Sequence, residues 1–470
     1  MRRTGLVGGM LVGVCLAVLA GARALDGGAV AHGQVMRTVR VNPGVFQVLL
    51  DGRDGRAFLS GVGPLQVVDT AHGALVRTVT FAGSMAPPEV RLDDQDARVF
   101  MRTRGPGPRN VGVVDAVHLL DARTGRPLGV LPLPAGESVA QFAVVPQTSR
   151  VFVLTPARHL YVFDARTGRR VAASVLSRGA GVPPPAPANP ADTLVVDQRT
   201  GRVVATESDQ GTVFALDGAS GHVLWATALP ARGGPPPVLW LPVVDEQQGH
   251  LFVDDTRSGT VRMLNLRSGR LGHYTAHVNP GRVDMLAVGR TGRIFVFDGG
   301  RVSVLDAMSG RLVRAGSLGA VYQFGPARVV QRTGSVLIQD ASTNTLLLLD
   351  GTSGRIKRTV HLASFAMLTV DEHAGHILMN SVVNGRTSPI VVLDARSGNV
   401  LRTIPISVGP GLSTVAIDDR TDEIAVASDR PMTVPDRWAW VPSRLRSVVP
   451  FLRRPAPTQG ASLSIIDPAS

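Results

Sequence analysis

An all-β fold, a single β-propeller of four-stranded antiparallel blades, follows from three observations on the sequence. First, a turn of the form Asp-x-x-Ser/Thr-Gly, with some variation, follows an apolar run eight times, ending at Gly73, Gly125, Gly168, Gly221, Gly269, Gly310, Gly354 and Gly398. The intervals are 52, 43, 53, 48, 41, 44 and 44 residues, the period expected of a blade made from short strands. Second, most of these turns are preceded by another strand pair around a second tight turn, as in Asp197-Gln-Arg-Thr-Gly201-Arg202-Val-Val-Ala. Third, the two ends of the chain hold complementary pieces of one unit. The last apolar run, Leu463-Ser-Ile-Ile-Asp467, reads as a third strand, and Val35-Met-Arg37-Thr38-Val39 reads as the fourth.

The elements of a unit each have a local cause. Four strands, A to D, are joined A to B and C to D by short Asp/Gly turns. There Asp accepts hydrogen bonds from nearby backbone amides, and Gly takes the φ > 0 position of a tight hairpin. The apolar runs are continuous more often than alternating, as in Arg150-Val-Phe-Val and His250-Leu-Phe-Val, which suits sheets packed on both faces. The fourth strand repeats an Arg-Thr-Val signature at 77–79, 358–360 and 37–39. The N-terminal copy is expected to become the outermost strand of the last blade, closing the ring and removing exposed edges. Eight internal turns and the split unit make nine blades, with eight as the alternative. With residues 1–24 set aside, the remaining 446 residues give about 50 per unit for nine blades.

Composition bounds the function. Of 470 residues 44% are hydrophobic, enough for a large packed core. The single cysteine, Cys15, excludes a disulfide framework and a cysteine-based zinc cluster. The formal charge is +13, from 49 Lys and Arg against 36 Asp and Glu, and Lys357 is the only lysine. Many arginines follow a turn glycine and recur around the whole molecule instead of forming a run, so no nucleic-acid partner is expected. Residues 1–24 have the layout of an export signal: Arg2-Arg3, an apolar stretch from Leu6 to Leu19, and Ala22-Arg-Ala24 before the cut. The propeller then spans 25–470, and the protein is expected outside the cytoplasm, secreted or at the cell surface. The alternative is a retained N-terminal membrane anchor.

The repeat, in copies such as Val162-Phe-Asp164-Ala-Arg-Thr-Gly168 and Val392-Leu-Asp394-Ala-Arg-Ser-Gly398, resembles the YVTN-type propeller repeat of secreted and surface-layer proteins. The resemblance covers nearly all of 33–470. It implies an extracytoplasmic binding or scaffold role without catalytic residues or cofactor. Blade four, Val213-Phe-Ala-Leu-Asp217-Gly-Ala-Ser-Gly-His-Val-Leu-Trp225, is similar instead to the tryptophan-docking repeat of quinoprotein dehydrogenases.

Strand order places the A–B and C–D turns on one face of the disc and the B–C and D–A connections on the other. The second face receives the long irregular segments 102–114, 177–192, 231–238 and 428–460, and is the expected functional face. Its largest excursion, 429–460 in the last blade, holds Trp438, Trp440, Arg444, Arg446, Phe451, Arg453 and Arg454. Trp and Arg are enriched at interface hot spots, and basic residues mixed with aromatics also suit a membrane surface. These are the candidate binding residues, for a protein or cell-envelope partner or an anionic membrane, with the segment acting as a lid over the ring as the plain structural reading. No metal site is expected: Asp371-Glu-His373-Ala-Gly-His376 aligns with an ordinary A–B turn, and Asp254-Asp255 lacks a full calcium-loop ladder. A monomeric binding or scaffold module is the first reading. An extracytoplasmic propeller enzyme (quinoprotein-like dehydrogenase, lyase or glycosidase) with its site at the channel mouth is the alternative.

Overall fold

The computed structural model describes residues 35–41, 45–61, 63–81, 89–106, 113–176, 193–208, 210–230, 238–277, 284–298, 300–318, 327–340, 343–361, 366–383, 386–387, 390–404, 413–417, 424–428 and 462–466. They form nine antiparallel sheets, eight of four strands and one with a fifth, two-residue strand at Arg386–Thr387. Blades 1 to 8 follow chain order and begin with strand A at Val45–Asp51, Glu89–Asp93, Gln141–Val145, Thr193–Asp197, Leu239–Asp245, Asp284–Val288, Arg328–Val330 and Ala366–Asp371. Each A strand touches the next. The cycle closes where Ser413–Ile417, strand A of blade 9, packs on Val45–Asp51.

Blade 9 is the split unit. Its strands B and C are Ile424–Ser428 and Ser462–Ile466, and its strand D is Val35–Arg40 from the other end of the chain. The pairing runs antiparallel with Val35 opposite Ile466, Thr38 opposite Ser464 and Arg40 opposite Ser462. The expected closure is therefore observed, and so is the count of nine.

The cores lie between blades. Nine apolar clusters are present, each joining two neighbours: one packs Phe100, Val117 and Leu119 of blade 2 against Val151, Val153 and Phe163 of blade 3. Another joins Val39 and Ala425 of blade 9 to Val48 and Leu59 of blade 1. Strands B and C are buried along their whole length in several blades, as in Ser335–Asp340, because both of their faces meet a neighbour. The D strands form the outer wall and are largely exposed.

One segment differs from the sequence expectation. Residues 102–114, read as irregular, largely continue the hairpin: strand B of blade 2 runs Arg98–Pro106 and strand C runs Val113–Asp121. The cause is a period-2 pattern with matching charges, since Arg104 stands opposite Asp115 across the ladder. The strands outrun the five- or six-residue B and C strands of most other blades by three or four residues. That carries the end of the ladder, Pro106 opposite Val113, roughly 10–13 Å further than in those blades, at about 3.3 Å per residue.

Candidate binding faces

The turn face is made of interlocked brackets. In blade 2, Asp121 Oδ1 accepts from the Thr124 amide at 2.9 Å and the Thr124 hydroxyl at 2.7 Å. The Gly125 amide donates to the Asp121 carbonyl at 2.9 Å, with Gly125 at φ +65. The arginine that opens strand B joins neighbouring turns. Arg56 Nη1 reaches Asp69 of its own blade at 2.7 Å, while its Nε donates to the Arg123 carbonyl of blade 2 at 2.8 Å. Arg150 repeats this with Asp164 and the Ala219 carbonyl of blade 4, both at 3.0 Å. The R-V-F signature thus begins with an inter-blade clamp.

The same turn chemistry gives opposite electrostatics at two depths. Burial pushes the Asp121 carboxyl up, but the Thr124 hydroxyl and amide and the Arg98 charge outweigh it, and the group lies below its ordinary range. The corresponding carboxyl is lowered in six other blades. In the A–B turns, Asp51, Asp93 and Asp245 sit deeper, and burial there wins and raises them.

The C–D glycines also serve as docks. A methyl group on Gly221 would overlap Val162 of blade 3, and one on Gly269 would lie 2.6 Å from the Trp225 ring of blade 4. Trp225 Nε1 donates to the Leu266 carbonyl of blade 5 at 3.0 Å. The tryptophan singled out in blade four is a docking residue between blades, and Val67, Val162 and Val304 take the corresponding place elsewhere.

The loop face is different. Asp115, almost fully buried, is held by Arg102 at 3.1 Å and by Arg104 at 3.0 Å. Arg102 also donates to the carbonyls of Val139 and, at 2.9 Å, Ala140, tying the long hairpin to the connection between blades 2 and 3. On the same connection Glu137 contacts His159 of blade 3, and Arg170 stacks 5.6 Å from the Tyr161 ring centre. Burial and then the Glu137 charge raise the Tyr161 hydroxyl. Burial lowers His118, whose Nε2 lies 2.9 Å from the Thr103 hydroxyl. Deeper in, Arg158 meets Glu207 of blade 4 at 3.4 Å, and Arg262 meets Asp255 within blade 5 at 3.6 Å.

Trp438, Trp440, Arg444, Arg446, Phe451, Arg453 and Arg454 lie outside the described residues, as do the 177–192 segment and residues 1–34. The Arg102–Asp115–Arg104 group was not among the sequence candidates. Its signal was the alternation of charged with apolar or small residues on both sides of 107–112. Asp371 to His376 forms an A–B turn, with Asp371 Oδ1 accepting from the Ala374 amide at 2.8 Å. Among the described residues no group of three or more His, Cys, Asp and Glu side chains could hold a metal ion, and no helix is long and apolar enough to cross a membrane.

A family model described as "Outer membrane protein assembly factor BamB" matches residues 65–235, 113–275 and 195–320, overlapping stretches that together cover more than half of the chain. No curated protein matches the sequence. Among solved structures, BamB from Moraxella catarrhalis aligns with 17% identity over 74% of this chain and 97% of that one, at a TM-score of 0.47. The computationally designed Ika8 protein aligns with 14% identity over 80% and 100%, at 0.48. The C-terminal WD40 domain of Sif2 aligns with 10% identity over 74% and 93%, at 0.46.

Proposed function

The chain belongs to the family described as outer membrane protein assembly factor BamB, and on that premise we propose that it is an extracytoplasmic binding or scaffold module whose loop face holds a protein partner of the cell envelope. One observation carries the reading: the long hairpin of blade 2 rises from that face and is braced at its base. Arg102 spends its donors on Asp115 and on the Val139 and Ala140 carbonyls, so the hairpin is fixed before any partner arrives. A fixed projection loses little conformational freedom on binding, which is the advantage of preorganisation. Arg104, more than half exposed, offers the charge that remains available at its edge.

Buried charges elsewhere on this face engage one another, Arg158 with Glu207 and Arg262 with Asp255. Such pairs stiffen a platform. In this reading the 429–460 insertion supplies the second contact, with Trp438, Trp440 and Phe451 as apolar anchors and Arg444, Arg446, Arg453 and Arg454 as orienting charge. The likeness of the repeat to the YVTN type and the leader-like residues 1–24 support placement outside the cytoplasm. The module acts as a monomer.

Site-specific photocrosslinking tests the proposal. A photoreactive residue at position 109 or 440 should yield one discrete crosslinked species in the envelope fraction, and one at position 355, on the turn face, should not yield that species. Equal yields of the same species from both faces would overturn it.

A further inference from the structure

We propose a second interaction surface on the opposite side of the ring: the turn face of blades 5 to 8 docks on an anionic phospholipid bilayer. The observations are the placement of free cations, the occupation of the neighbouring acids by backbone amides, and an aliphatic fringe at the same edge.

Arg267, Arg270, Arg311, Arg332, Arg355 and Arg396 all stand on turns of this face and are exposed. In blades 2 and 3 the arginines two residues after the C–D aspartate are neutralised by a neighbouring blade. Arg123 pairs with Asp54 at 3.1 Å and Arg166 with Asp96 at 2.6 Å. The residues aligned with Asp54 and Asp96 are Thr200 in blade 4 and Thr333 in blade 7. Arg267 and Arg396, the counterparts of Arg123 and Arg166, accordingly have no ion-pair partner among the described residues. The carboxylates of this sector are engaged by backbone amides. Glu372 accepts from the Gln331 and Arg332 amides at 3.0 and 3.1 Å, Glu246 accepts from the Gln198 amide at 2.9 Å, and the C–D aspartates cap their own turns. The carboxylates here are thus occupied by turn amides, while Arg267 and Arg396 carry charge with no carboxylate paired to it among the described residues.

Charge alone would suit any polyanion. The fringe selects among them. Met308, in the C–D turn of blade 6 where other blades carry a polar residue or alanine, is 60% exposed, and Leu312, Ile356 and Val400 at the nearby starts of strand D are 43–54% exposed. Aliphatic groups beside guanidinium groups suit the boundary between headgroups and acyl chains, where apolar area is buried and phosphate is met together. The turns are short and stand on the same side of the ring, so several blades can contribute to one contact and their contributions combine.

The full chain is to be sedimented with vesicles of phosphatidylglycerol and phosphatidylethanolamine, and with vesicles of phosphatidylcholine alone. Binding is expected only to the anionic vesicles and should weaken with salt. Arg267→Glu, Arg311→Glu, Arg355→Glu and Arg396→Glu combined should weaken it by about six hundredfold or more, since each basic group near such a surface contributes roughly fivefold. The matching Arg→Gln set, with an unchanged melting midpoint, separates loss of charge from loss of fold. Met308→Ser with Ile356→Ser should weaken vesicle binding severalfold while leaving capture of soluble polyphosphate unchanged. Undiminished vesicle binding by the quadruple variants would overturn the proposal. So would a Met308→Ser and Ile356→Ser variant that binds vesicles as tightly as the parent, an outcome pointing to a soluble polyanion.

Discussion

Arg158 Nη1 lies 3.4 Å from Glu207 Oε1 across the boundary between blades 3 and 4, and both side chains are buried. Arg158 is only 1% exposed and its backbone is left-handed, at φ +61. An arginine in that conformation is strained unless its surroundings hold it there. The ion pair is therefore a support of the loop-face platform, and its removal is costly in a definite way. Glu207→Gln should destabilise the ring by about 3 kcal/mol, because it removes the negative charge facing a buried guanidinium. Arg158→Met with Glu207→Leu should recover much of that loss. Urea melts of the single and double variants measure both; equal loss in each would show that the pair does not interact.

Gly221→Ala should cost at least about 2 kcal/mol, combining left-handed strain at φ +74 with overlap onto Val162. Gly129→Ala, where no atom lies within 4 Å of the added carbon, should change stability by less than about 0.5 kcal/mol. Thermal melts of the two variants make the comparison.

Acid should loosen the ring, and the aspartates set the window. Asp69, Asp121, Asp164, Asp217, Asp306, Asp350 and Asp394 are lowered in the folded state. Their contribution is fully present above the unfolded value near 3.9 and is lost as pH falls through the folded values. Asp51, Asp93 and Asp245 are raised and work the other way, costing stability above their folded values and ceasing to do so once protonated. The lowered group is the larger, so the melting temperature should fall below pH 4. Asp93→Asn keeps the oxygen that accepts from Gln95 and Asp96 while removing a buried charge. At pH 7 it should stabilise by about 1 kcal/mol, and a decrease there would refute the assignment.

Removing residues 33–41 should lower the stability of the whole ring and not merely fray one end. Those residues supply strand D of blade 9, and Val39 and Val41 belong to the core joining blades 9 and 1. Hydrogen exchange should show lost protection in both Ile424–Ser428 and Val45–Asp51. Loss confined to the first of these would contradict a cooperative closure.

The turns were legible because their chemistry is local: Asp, hydroxyl and Gly within five residues suffice to make each one. Ring closure was legible because the Arg-Thr-Val signature of strand D stands alone at 37–39. Other features were not. The A–B turns of blades 2 and 3 place Ala97 and Ser149 in the left-handed position that glycine holds in blades 1, 4 and 5, so glycine counting misses them. Arg158 and Glu207 are 49 residues apart, a distance at which no local pattern signals a partner. Arg102 and Arg104 lie inside the segment 102–114 that reads as irregular, and Asp115 lies just past it, although the alternation on both sides already described a ladder.

The pairing of Val35–Arg40 with Ser462–Ile466 has a further consequence, in time. A chain made from its N-terminus presents the strand at 35–40 long before that strand's partner exists. Eight blades can form in order while residues 35–40 remain an unmatched edge. Only the arrival of residues 462–466 satisfies it. The last blade is thus a checkpoint on synthesis: a chain that stalls early carries an exposed strand, open to chaperones and proteases, and a chain that reaches its partner conceals it.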